Sequence, residues 1–171
     1  MKKIQIIIVA TVLLTGFISC SPRADKKDKK TEQQQAEVKK LPAFTMTDVN
    51  GNVINTNDFK GKKVFVNLWA SWCPPCRVEI PSIEKLKTKV DPQKVAFVML
   101  SLDKNFEVAK DFAKSINIQL PIYYPAEKLP ELFNIEGIPA TFIFNEKGEL
   151  IKANNGAEDY DSDSYLHLLK S

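Results

Sequence analysis

A buried-strand run that ends directly on a cysteine pair constrains this chain more than any other feature. Residues 62–70, KKVFVNLWA, are a nearly continuous apolar run, the pattern of a strand covered on both faces. They lead straight into Ser71-Trp72-Cys73-Pro74-Pro75-Cys76. Residues 75–90 then carry a helical pattern: at about 100° per residue, Cys76, Ile80, Ile83, Leu86 and Val90 share one apolar stripe. Pro75 suits the first turn of such a helix, where its missing N–H leaves no bond unmade. Such a segment delivers two sulfurs to the mouth of a helix.

That placement favours thiol chemistry. The thiolate is the form that attacks a disulfide. At a helix start, Cys73 meets unpaired backbone N–H groups and the positive end of the macrodipole, which stabilise the thiolate. Cys76 lies one turn deeper, placed to resolve a mixed disulfide formed at Cys73. A bridge between cysteines three apart closes a small loop and constrains the unfolded chain little, so its use is chemical rather than structural. A four-ligand zinc site would need two further Cys or His. His167 is the only histidine, so no metal and no other cofactor is expected.

Glu79 falls inside the apolar stripe, one turn after Cys76, instead of on the polar side with Arg77, Lys85 and Lys89. A carboxyl group desolvated there should hold its proton to a higher pH and could exchange protons with the cysteines. Pro81 blurs the stripe by disturbing the helix.

Around this junction the chain reads as strands alternating with helices. Phe44–Val49 and Asn52–Thr56 flank Asn50-Gly51, a hairpin signal. A second buried strand is expected at 95–102, then a helix at 104–117, an apolar stretch at 120–124 and a brief helix at 129–134. Strands at 141–145 and 149–153, joined by a turn containing Gly148, and a helix over 162–170 complete the pattern. The expectation is one α/β domain over 41–171, with a central mixed sheet flanked by helices.

The first forty residues differ in kind. Lys2 and Lys3 precede an apolar run to Ile18 and then Ser19-Cys20, an export signal whose end resembles a bacterial lipobox, with Phe17 where Leu is preferred. The resemblance implies a lipoprotein-type signal peptide over 1–19 with Cys20 as the lipidated residue; an ordinary cleaved signal or an uncleaved anchor is the alternative. Residues 21–40 hold seven basic and four acidic side chains and almost nothing apolar. With the lipidated Cys20 they read as a charged tether over 20–40, able to span roughly 25 Å as a coil. The net charge of +3 lies in this part: Lys2 and Lys3 supply two charges and the tether three, leaving −2 from residue 41 onward. Nucleic acid is therefore not an expected partner.

Taken together, WCPPC after a buried strand, Pro81 five residues past the second cysteine, and Gly137-Ile138-Pro139 before a strand resemble thioredoxin. The opening LPAF…DVNGNVI…FKGKKVFVNLWASWCPPC and the strand–helix insertion at about 95–117 resemble, more narrowly, the TlpA/ResA subfamily of extracytoplasmic, membrane-tethered disulfide reductases. The resemblance spans 41–171. It implies a cis Pro139 beside the cysteines, an Ile138 backbone that pairs with an extended client segment, and client contacts from Trp72 and Pro74. It also implies that Glu79 tunes cysteine acidity. Two positions depart from the thioredoxin pattern: Asn67 stands where a buried Asp relays protons, and Ala140 stands where Thr is common.

The function expected is reduction of protein disulfides outside the cytoplasm, in cytochrome c maturation among other settings, by a monomer recharged by a membrane electron donor. Oxidase or isomerase activity is the alternative, since direction depends on potential and partner. A copper-binding redox chaperone fits less well, because the spacing is CxxC and His167 lies in the terminal helix. A peroxidase would need its reactive cysteine in another setting, and a redox-inactive scaffold would not need the pair.

Overall fold

The computed structural model describes residues 38–171. The expected signal peptide, Cys20 and nearly all of the tether lie outside the described residues. A seven-stranded mixed sheet forms the centre of the domain, in the order β2-β1-β5-β4-β3-β6-β7. The strands are β1 (Thr45–Asp48), β2 (Val53–Asn55), β3 (Lys63–Trp69), β4 (Val95–Ser101), β5 (Ile122–Pro125), β6 (Ala140–Phe144) and β7 (Leu150–Asn155). β4 runs parallel to both β3 and β5, and the remaining pairs are antiparallel.

All seven residues of β3 are buried, because the strand is interior and both its faces are covered. Phe65 and Trp69 point toward a core shared with α1 (Pro74–Thr88), α2 (Phe106–Ser115) and α3 (Asp163–Lys170). Val64, Val66 and Leu68 point the other way, toward Phe44, Met46 and Phe133. The alternation follows from the period of two along a strand. It turns an unbroken apolar run into two separate cores. Phe65 stands at the centre of the first, with Phe97 and Tyr160 each 5.1 Å away between ring centroids.

The expected elements are present, with differences at their ends. α1 stops at Thr88, so Val90 lies past the helix, and Pro81 sits inside α1 without ending it. α2 begins at Phe106, where the Asn105 side chain accepts the Val108 N–H at 3.2 Å. The brief helix expected at 129–134 is a single 3₁₀ turn, Glu131–Phe133, behind Pro130 and with no side-chain cap. A second 3₁₀ turn, Thr56–Phe59, was not expected. There the Asn55 side chain accepts the Asn57 N–H, and the Asp58 carboxylate accepts the Asn55 N–H.

The chain enters the domain beside the β6–β7 turn. Leu150 N–H donates to the Lys39 carbonyl at 2.8 Å and Leu41 N–H to the Gly148 carbonyl at 2.7 Å. This is the end of β6 and β7 away from Pro139, whose neighbour Ala140 pairs with Asn155.

Because Phe65 anchors the helix-side core, Phe65→Ala should lower the unfolding free energy by about 3–5 kcal/mol. Urea titration followed by circular dichroism measures this. A loss below about 1 kcal/mol would show that the site collapses around the missing ring.

Candidate active site

Cys73 is the N-cap of α1, with extended backbone (φ −92°, ψ 104°), and its Sγ accepts the Cys76 N–H at 3.2 Å. Pro74 and Pro75 form the first turn and remain exposed. The two sulfurs are joined as a disulfide. Both cysteines are nearly enclosed, whereas the neighbouring Trp72 is 64% exposed. The site therefore presents a sulfur at the floor of a surface that an apolar ring overlooks.

Two loops distant in sequence complete the surroundings. The Ile138–Pro139 bond is cis, and the Ile138 carbonyl oxygen lies 3.6 Å from Cys73 Sγ. The cysteines, Ile138 and Pro139 thus meet, with Trp72 and Pro74 flanking them at the surface. On the other side, Asp103 holds the turn before Cys73. Its carboxylate accepts the Ser71 N–H at 3.0 Å and the Ser71 hydroxyl at 2.7 Å, together with the Ser101 hydroxyl at 2.9 Å. Nothing in the sequence pattern marks Asp103, since it joins Ser71, just past the end of β3, to Ser101, at the same end of the parallel β4. Arg77 is occupied elsewhere, stacking its guanidinium over the Phe112 ring at 5.2 Å.

Glu79 is buried, at 2% exposure, as its place in the stripe requires. Its Oε1 accepts from Asn67 Nδ2 at 2.7 Å and its Oε2 from the Glu158 N–H at 3.3 Å. Burial disfavours the charged form and pushes its pKa up to about 7, although the two hydrogen bonds oppose the shift. Asn67 also donates to Thr141 Oγ1 at 2.9 Å, and the Tyr160 hydroxyl donates to the same oxygen at 2.7 Å. Burial raises the Tyr160 pKa as well. Thr141, Glu158 and Tyr160 were not singled out in the sequence. Glu158 bonds Glu79 directly, and Thr141 and Tyr160 are linked to it through Asn67, because β6 lies beside β3 and the segment after β7 folds back over α1.

A redox-active pair at the mouth of α1, a cis-proline loop against it and a mixed sheet behind it define a thiol–disulfide oxidoreductase of thioredoxin fold. The chain belongs to the Redoxin family, whose pattern matches residues 36–169. It is 31% identical over 132 residues to the thiol-disulfide oxidoreductase ResA of Bacillus thuringiensis subsp. konkukian, covering 75% of each chain. It is 32% identical to the sporulation thiol-disulfide oxidoreductase A of Bacillus subtilis, covering 85% of this chain and 86% of that one. The crystal structure of a putative thiol-disulfide oxidoreductase from Bacteroides vulgatus superposes with a TM-score of 0.67 at 29% identity, covering 77% and 92%.

The raised Glu79 pKa carries a stability consequence of definite sign. An unfolded glutamate titrates near 4.5, the folded one near 7, so the folded state binds the proton more tightly. The stabilisation is complete below about pH 4.5 and is lost as pH rises through about 7. Relative to Glu79→Gln, the wild type should lose up to about 3 kcal/mol across that window. Parallel stability–pH curves for the two proteins would return Glu79 to a solvated position.

Proposed function

We propose that the protein reduces disulfides in exported protein clients, with Cys73 as nucleophile, Cys76 as resolving thiol and Glu79 as the proton acceptor for Cys76. The observation that carries the reading is Cys73 Sγ at the N-cap, receiving the Cys76 N–H while facing the Ile138 carbonyl. The Cys73 thiolate attacks one client sulfur; a Cys73–client bond forms, the client S–S bond breaks, and the departing client thiolate takes a proton. Cys76 then gives its proton to Glu79 and attacks Cys73 Sγ. The Cys73–Cys76 bond forms, and the second client sulfur leaves as thiolate. Two electrons pass to the client, and a membrane electron donor must restore the dithiol.

The client lies against Trp72, Pro74 and the Ile138–Pro139 backbone. This is supported by the exposed indole and by a surface groove along Gly137, Ile138, Pro139 and Gly156. Cys20 is the lipid attachment site of a monomer facing the extracytoplasmic space, and oxidised cysteines of apocytochrome c are one client class.

The reduction potential of the Cys73–Cys76 pair, read from Trp72 fluorescence, tests the direction. A value near or below about −250 mV supports a reductase, and one near about −120 mV makes the protein an oxidant. Cys73→Ser should abolish client reduction, while Cys76→Ser should accumulate a mixed disulfide visible on a non-reducing gel. Full activity in Cys73→Ser would end this reading. For the anchor, cells fed labelled palmitate should label the wild type and leave Cys20→Ala unlabelled; equal labelling would remove Cys20 from that role.

A further inference from the structure

Apart from Lys63 at its first position, the interior strand β3 is apolar except at Asn67, which is fully enclosed. Its amide nitrogen donates both hydrogens, one to Glu79 Oε1 and one to Thr141 Oγ1. Its oxygen Oδ1 is buried without a partner among the described residues. Leaving a buried acceptor unpaired costs about 1–3 kcal/mol, so this oxygen needs an explanation.

The arrangement suits a Glu79 carboxylate, which can only accept. A protonated Glu79 has an O–H that must find an acceptor, yet the groups bonded to its carboxyl, Asn67 Nδ2 and the Glu158 N–H, are both donors. Asn67 Oδ1 is an unused acceptor on the carboxamide already bonded to Glu79, and the Tyr165 hydroxyl is buried without a partner as well among the described residues. The two arms of a carboxamide are almost equal in shape and opposite in hydrogen-bonding character. Turned by half a rotation, the amide would accept from the Glu79 O–H and from the Thr141 O–H. The Tyr160 hydroxyl would go on donating to Thr141 Oγ1. The contacts to Glu79 and Thr141 are retained with their direction reversed, and the amide hydrogens move to the position of the unpaired oxygen.

We infer that Asn67 is a positioning residue that keeps Glu79 hydrogen-bonded in both of its protonation states, by turning its carboxamide over as the proton arrives or leaves. The inference rests on the reading that Glu79 exchanges a proton during catalysis. An Asp at this position would set a second carboxyl against Glu79, and an apolar side chain would serve neither state.

The groups facing Glu79 leave it as the one that changes state near neutrality. Asn67 faces it from β3, and Thr141 of β6 bonds Asn67 in turn. Glu158 and Tyr160 approach from the segment after β7, and Tyr165 from α3, with Lys152 standing over the Tyr165 ring. Burial lifts the Tyr160 pKa and raises that of Tyr165 to about 12. Glu158 is exposed and reaches Glu79 through its charge and its backbone N–H. Cys76, on the same helix, carries no proton while the disulfide is closed.

The test is an NMR measurement on the full-length protein with the disulfide closed and no client present, so it can fail while the redox assays succeed, and the reverse. At about pH 9, two units above the Glu79 pKa of about 7, a nuclear Overhauser cross-peak should join the Asn67 Hδ2 protons to the Thr141 methyl. At about pH 5 it should be lost, and in Glu79→Gln it should not vary with pH. A cross-peak of constant intensity in the wild type, or one that still varies in Glu79→Gln, overturns the inference. Asn67→Leu should raise the titration midpoint of the Glu79 carboxyl carbon by about one unit, because the charge-assisted bond lost is stronger than the neutral one. An unmoved midpoint also overturns it. If Asn67→Leu does not fold, the wild-type cross-peak decides alone.

Discussion

The burial of β3 on both faces is the constraint on which the site depends. A strand covered from both sides cannot slip by one residue without exchanging its two cores. Its pairing with β4 over Lys63–Trp69 and with β6 over Val64–Leu68 holds that register from both edges. The end of β3 is therefore a fixed point. Only three residues, Ala70, Ser71 and Trp72, separate it from the N-cap of α1, and the Asp103 carboxylate ties Ser71 to the end of β4. The stripe Cys76, Glu79, Ile80, Ile83 and Leu86 then seats α1 on the sheet. Cys73 is placed by packing, and its N-cap environment follows.

Four polar groups inside that packed region form a short chain. Asn67, Glu79, Thr141 and Tyr160 are all buried, and all join one hydrogen-bond network. A carboxyl group enclosed in this way is strained toward its neutral form, and the protein loses stability where that form ionises. Near neutral pH the same strain makes Glu79 able both to take and to release a proton. Stability and proton exchange are set here by one desolvation energy.

The cover over this network is held from the surface. The Tyr160 N–H donates to the Ser82 hydroxyl at 3.0 Å, and Ser82 in turn donates to the Glu79 carbonyl at 2.7 Å. Lys85 on α1 and Lys89 at its C-cap both pair with Asp161. Exposed ion pairs of this type contribute little individually. Here they act with the buried Tyr160 ring, which packs against Phe65 and Tyr165, so that the segment after β7 closes over Glu79.

Local chemistry made much of this legible in the one-dimensional pattern. The run KKVFVNLWA, the CPPC motif that follows it and the stripe of α1 specify a strand, a turn and a helix among near neighbours, and periodicity reads such units directly. Glu79 was visible for the same reason: its phase on the helix predicts its burial. The 3₁₀ turns and the end of α1 before Val90 were less visible, because caps and one-turn elements depend on single side chains. What only the tertiary structure decided is who meets whom across the sheet. The order β4-β3-β6 brings Thr141 to Asn67 and Asp103 to Ser71, and the return of the chain after β7 brings Glu158 and Tyr160 to Glu79. These contacts join residues separated by tens of positions, and no local periodicity encodes them. The sequence by itself determined where the sulfurs and the buried acid lie along the chain; the packing of distant strands decided which groups set their protons.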